Sequence, residues 1–168
     1  MGRNIAWVIA VIAMALLQTT WPDMLKLQGV VPDLSLALVV YFAIADGEER
    51  AMITGLLSGI YLDTACHAVL GHHVLCLVLV GYLVGRLSSR LITEHPAVKA
   101  ALVFCAALVH GLLYMSVLYV QQPDFGLIYR LVTTVVPGAF YTGLITPIEF
   151  FVLDRVFRRE GALQGGVS

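Results

Sequence analysis

Long apolar runs, separated by short gaps that hold most of the charge, leave this chain few folds to choose from. Of its 168 residues, 60% are hydrophobic and 12% charged, more apolar surface than a soluble domain of this size can bury. A bilayer core about 30 Å thick instead calls for helical stretches of roughly 20 apolar residues. The sequence therefore predicts an all-α, polytopic integral membrane protein. Residues 1–159 would form one transmembrane domain, and the glycine-rich tail 160–168, too poor in apolar residues to fold alone, would be flexible.

Composition also excludes several functions. A net charge of −1 gives no nucleic-acid or acidic-substrate signal. Cys66, Cys76 and Cys105 are an odd set, and the last two lie inside apolar runs, so no disulfide framework is expected. Near the N-terminus, Ala13-Met14-Ala15 superficially resembles a signal-cleavage site. The apolar run continues past it through Leu17, which favours an uncleaved first helix that starts insertion.

Six segments follow in order. The first runs from about Ile5 to Trp21 and closes at Pro22 and Asp23. The second opens at Pro32-Asp33 and stops at Asp46-Gly47, after which Glu48, Glu49 and Arg50 read as a tight turn. The third then runs from Ala51 to about Ala65. These two are short, about 15 residues or 22 Å each, less than the hydrocarbon thickness. Segment four covers Gly71 to Leu87, segment five Ala97 to Val120, and segment six Leu131 to Leu153 with Pro137 and Pro147 inside it. Positive residues in short loops stay on the cytoplasmic side. With both termini inside, Arg3, Arg50, Arg86, Arg90, Lys99, Arg155, Arg158 and Arg159 face the cytoplasm, and only Lys26 and Arg130 lie outside.

The residues that break the apolar pattern are the candidate sites. Gly55 with Gly59, and Gly81 with Gly85, make two GxxxG steps that let helix backbones meet. The first reading is packing within this protein; the second is docking of another protein's helix. Ala6, Ala10 and Ala13 make a comparable stripe on the peripheral first segment, a candidate partner interface, and small-residue faces of this kind also permit a homo-oligomer. Asp63 is costly near the end of a membrane helix unless paired or hydrated. It lies on the same face as Gly55 and Gly59, so it is expected to point inward and to cap the next turn or to bond Gln18, Thr19 or Thr20. Asp33 after Pro32 suits a helix start. Glu149, just past Pro147, is expected near the cytoplasmic border, neutralised by Arg155 or Arg158.

Asp63, Cys66, His67, His72 and His73 crowd one loop, but their spacing matches no established metal pattern, and no metal or cofactor is expected. Ser58 and His110 lack the surroundings of a catalytic pair. His110 reads as a hydrogen-bond partner between helices.

Taken together, Gln18-Thr19, PDLSLALVVYFAIADG from Pro32, GLLSGIYLD from Gly55, then Gly71 and LVGYLVGRL resemble the bacterial rod shape-determining MreD family across Gln18 to Arg86. Beyond Arg86 only length and hydropathy agree, and the family suggests no role for His72 and His73. The resemblance implies a non-enzymatic scaffold in the bacterial inner membrane with both termini cytoplasmic. Implied partners are MreC, the actin-like MreB, the RodA glycosyltransferase and a penicillin-binding transpeptidase, with Arg86, Arg90, Lys99, Arg155, Arg158 and Arg159 facing cytoplasmic partners or anionic lipid. It also implies a fold similar to the substrate-binding components of energy-coupling-factor transporters. That likeness motivates an alternative, a solute-binding subunit with Asp63, Gln18 and Tyr61 lining an outward cavity.

Overall fold

The computed structural model describes residues 2–22, 24, 26, 30–66, 71–88, 95–121 and 126–164, and the side chains of these apart from 2, 3, 127, 128 and 158–164. The chain is all-helical there apart from turns and short connections. In order come α1 (Gly2–Thr19), α2 (Leu34–Ala45), α3 (Glu48–Ala65), α4 (His72–Ser88) and α5 (Pro96–Gln121). A sixth, composite rod runs from α6 (Leu127–Arg130) through a π-helical turn (Leu131–Val135) into α7 (Val136–Gln164).

The shortest of the five preceding helices sits at the centre. LSLALVVYFAIA in α2 is apolar all round, the pattern of a helix enclosed by others, and every residue from Leu34 to Ala43 is buried. Helices α1, α3, α4, α5 and α7 all pack against it. A buried helix still has to satisfy its first four N–H groups and last carbonyls. At the N-terminal end, Leu34 N–H donates to Pro32 O, Ser35 N–H to Gln18 Oε1, Leu36 N–H to Asp33 Oδ1 and Ala37 N–H to Asp33 O, at 2.9 to 3.2 Å. At the other end, Asp46 N–H reaches Phe42 O and Ser88 Oγ donates to Ala43 O.

The connection between α2 and α3 differs from the sequence expectation. Only Asp46 and Gly47 turn, with Gly47 at φ +89°. Glu48, Glu49 and Arg50 are already helical, because two acids in a first turn complement the positive end of the helix dipole. The segments expected to be equally short are therefore unequal, at 12 and 18 residues.

Helices α3 and α4 form the closest antiparallel pair. A Cβ on Gly55 would lie 2.8 Å from Leu77 O, and one on Gly59 2.5 Å from Val74 Cα. Reciprocally, one on Gly81 would lie 3.1 Å from Ala51 backbone, and one on Gly85 2.5 Å from Glu48 Cα. Both GxxxG steps are thus occupied within the chain. Near the far end of α2, Tyr41, Phe42, Phe150 and Phe157 pack edge-to-face or tilted with centroids 5.2 to 6.2 Å apart, and Tyr41 Oη donates to Asp154 Oδ1. In the composite rod, Pro137 is the second residue of α7 after the π-helical turn, a first-turn position where the missing N–H of proline is tolerated. Past the expected tail boundary at Arg159, α7 remains helical to Gln164.

Several polar side chains sit inside the largely apolar core while many large apolar ones face outward. Thr54, Ser58, Asp63, His72, Thr142, Thr146 and Glu149 are buried, whereas Ile5, Ile9, Leu56, Leu83, Phe140 and Phe151 are exposed. Exposed apolar faces of this extent require an apolar environment. Pro96–Gln121 and Leu131–Phe157 are long and apolar enough to cross a membrane, while α1, α2 and α4 provide shorter apolar helices.

The α3–α4 seam gives a direct test. Gly59→Leu forces the α4 backbone away and should destabilise the fold by about 1–3 kcal/mol or more, as overpacking does. Gly143→Ala, whose added carbon meets nothing nearer than 3.5 Å, should stay within about 0.5 kcal/mol. Thermal unfolding of both variants in detergent measures the difference.

Candidate functional site

The start of α2 gathers groups from three other parts of the chain. Asp33 caps α2 through Oδ1, receives His110 Nδ1 on Oδ2 at 3.2 Å, and donates its own N–H to Thr142 Oγ1 at 2.9 Å. Thr142 Oγ1 in turn donates to Gly138 O at 2.8 Å. One aspartate therefore joins α2, α5 and α7. Sequence reasoning assigned Asp33 only the cap and His110 only an unnamed helix-to-helix bond; no sequence spacing links positions 33, 110 and 142.

A cavity of about 290 Å³ opens at this point. Because α2 covers only about 18 Å, its longer neighbours α5 and α7 extend past its N-terminal end, and residues 30–33 approach it in a non-helical conformation. Asp33, His73, His110, Tyr114, Thr134 and Thr142 supply the polar atoms of the lining, and Val30, Ala107, Val135 and Ala139 are among the apolar ones. The π-helical turn contributes Thr134 and Val135. Among the described residues, no lysine or arginine lines it.

Asp63 serves a different purpose, at the start of α4. Its side chain is 0% exposed, with Oδ2 accepting Gly71 N–H at 2.7 Å and Oδ1 accepting His73 N–H at 2.9 Å. His73 Nδ1 approaches the same Oδ1 at 2.8 Å. The carboxylate thus caps α4, where negative charge meets the positive dipole end. Gly71, at φ +98°, makes the bend that brings the next helix back to it. His72 stacks on Tyr114 at 4.1 Å and places Nε2 3.0 Å from Tyr114 O. His67 lies outside the described residues.

Gln18, Tyr61 and Asp63 are not among the described residues that line the cavity beside Asp33. Gln18 is engaged with Ser35 N–H, and Tyr61 Oη lies 3.4 Å from Thr19 Oγ1.

Glu149 also departs from its expected place. It is 5% exposed, and neither carboxyl oxygen has a hydrogen-bond partner among the described residues. Arg155 is exposed, and the side chain of Arg158 lies outside the described ones. The reason is helical phase: Glu149 shares a face with Thr142 and Thr146 at spacings of seven and three, and that face turns inward. Thr146 is 1% exposed.

The alanines of α1 do not form one outward stripe. Ala10 packs against the core beside Trp7 and Met14, Ala6 is half-buried and Ala13 is exposed. The outward face is Ile5, Ile9, Ile12 and Leu16.

Four cations among the described residues, Arg50, Arg86, Lys99 and Arg155, lie toward one end of the bundle. Arg50 bonds Asn4 Oδ1 and pairs with Asp46, Arg86 reaches Tyr82 Oη in the last turns of α4, and Lys99 lies 5.9 Å from the Phe150 ring. Arg155 is one turn further along α7. Arg130 belongs to the opposite end, and Arg90 falls outside the described residues, as do the side chains of Arg3 and Arg159.

Comparison with known proteins gives one match. The family model described as rod shape-determining protein MreD matches residues 1–154. No curated protein and no solved structure matches the chain.

The Asp63 cap yields a stability prediction. Asp63→Ala leaves two backbone N–H groups at the start of α4 without an acceptor, at about 1–3 kcal/mol for a buried donor. Asp63→Asn, which keeps an acceptor oxygen, should lose less. Melting temperatures of the purified variants should fall in that order, and equal losses for both would show that charge, not capping, is what matters.

Proposed function

The chain belongs to the MreD family of rod shape-determining proteins, and on that premise we propose that it is a non-enzymatic, multi-pass scaffold of the elongation machinery in the bacterial cytoplasmic membrane. The single observation that carries this is the family match across residues 1–154, which takes in α1 to α5 and most of α7. The internal polar groups support it. Asp33, Asp63, Gln18 and Thr142 each hold helices together.

Family membership associates the chain with the MreB and MreC shape-determining machinery in general. The proposed arrangement is finer. Both termini face the cytoplasm, since the basic end of the bundle is retained on that side. Arg86, Arg90, Lys99, Arg155, Arg158 and Arg159 then meet MreB or anionic lipid. The exposed face of α1 receives the MreC membrane helix, and through MreC the bundle reaches RodA and its transpeptidase.

A second reading, a solute-binding subunit with a fold like that of energy-coupling-factor components, is favoured by one observation, the cavity beside Asp33. Depletion separates the two. Loss of a scaffold should turn rod-shaped host cells round whatever nutrients are supplied, whereas recovery of rods on feeding a vitamin-like solute would point to uptake.

Two further outcomes are expected. A reporter fused after Ser168 should be active only in the cytoplasm. Ala13→Phe, at an exposed position, should reduce MreC co-purification at least several-fold while the melting temperature stays unchanged; undiminished co-purification would remove α1 from the interface.

A further inference from the structure

Beyond the scaffold reading, we propose that the cavity at the N-terminal end of α2 binds a protonated amine carrying a compact apolar body, with the Asp33 carboxylate as its anchor. Three observations converge on that chemistry.

The first is accessible charge. The Asp33 side chain keeps 20% of its surface exposed and lines the cavity, whereas the Asp63 carboxylate is fully enclosed. Oδ1 of Asp33 is committed to Leu36 N–H, but Oδ2 carries only the 3.2 Å contact from His110. A carboxylate oxygen accepts more than one hydrogen bond, so Oδ2 has capacity for a donor from the cavity.

The second concerns what neutralises that charge. His110 donates through Nδ1, and its Nε2 is enclosed with no partner among the described residues. Among the described residues, His110 meets Asp33 Oδ2 through this single contact at 3.2 Å. Among the described residues no lysine or arginine lines the cavity, so an anionic ligand would meet the Asp33 carboxylate without a lysine or arginine to offset it. An ammonium group would complete the pair.

The third is shape. Beside the polar floor the walls are Val30, Ala107, Val135 and Ala139, with Tyr114 and Met115, suited to an aromatic or short aliphatic body. At about 290 Å³ the space lies at the small end of ligand pockets. Thr142 offers little competition, because its hydroxyl already accepts from Asp33 N–H and donates to Gly138 O.

Such an amine has two sources, a free small molecule or the ethanolamine headgroup of a phospholipid. The test uses the full chain purified in a neutral maltoside detergent, with tryptamine as the amine probe and indole-3-acetate as its anionic counterpart, followed by calorimetry. Tryptamine should bind and indole-3-acetate should not. Asp33→Asn keeps the capping oxygen and removes the charge, and should weaken tryptamine binding at least tenfold. Thr134→Trp, which fills the cavity from an exposed wall position without touching the cap, should do the same and stands as the test if Asp33→Asn fails to fold. Added phosphatidylethanolamine that competes with tryptamine, while phosphatidylglycerol does not, identifies the lipid source; no competition identifies a free amine. The proposal is overturned if tryptamine and phosphatidylethanolamine both fail to bind, if indole-3-acetate binds equally well, or if both variants bind tryptamine like the original chain. None of these readouts depends on cell shape, so this site and the scaffold role stand or fall separately.

Discussion

Enclosing α2 makes the backbone groups at its two ends depend on partners from the protein, and the rest of the bundle is arranged around that requirement. Water cannot solvate the ends of a helix wrapped by five others, and an orphaned buried N–H costs about 1–3 kcal/mol. Gln18 from α1, Asp33 from the preceding segment and Ser88 from α4 meet the need. Asp33 then acquires His110 and Thr142, which fix α5 and α7 at the same level. A single short helix thereby sets the position of its neighbours.

The same constraint explains why the cavity is where it is. Helix α2 is too short to fill the length of the bundle, so α5 and α7 extend beyond it and enclose space above its capped end. The π-helical turn contributes Thr134 and Val135 to the wall there, and Pro137 comes two residues after it. Helices α3 and α4, by contrast, approach so closely over four glycines that nothing fits between them. Dense glycine packing on one side and an underfilled helix end on the other are two consequences of where small residues and a short apolar run fall in the sequence.

These features are consistent with a protein whose task is positional. The enclosed carboxylate of Asp63 holds the start of α4, and the outward faces of the rods around α2 carry large apolar side chains. Arg50, Arg86, Lys99 and Arg155 collect at one end. What distinguishes this bundle from an inert one is the partly exposed Asp33, a charge placed against a cavity rather than spent wholly on capping, and the enclosed Glu149, whose oxygens have no partner among the described residues.

The sequence alone determined the helical class, the number of rods and most of their ends, because apolar run length, proline, glycine and acidic caps act locally and can be read from neighbours. It also carried the family likeness, through the ordered motifs from Gln18 to Arg86, and the inward direction of Asp63, through its phase with Gly55 and Gly59. Only the tertiary structure decided which helix lies in the middle, since an all-round apolar segment reads the same whether lipid or protein surrounds it. Only it joined Asp33, His110 and Thr142, and moved Glu149 from an expected rim into the interior. Contacts between residues scores of positions apart depend on how rods are rotated and stacked, which no local spacing encodes.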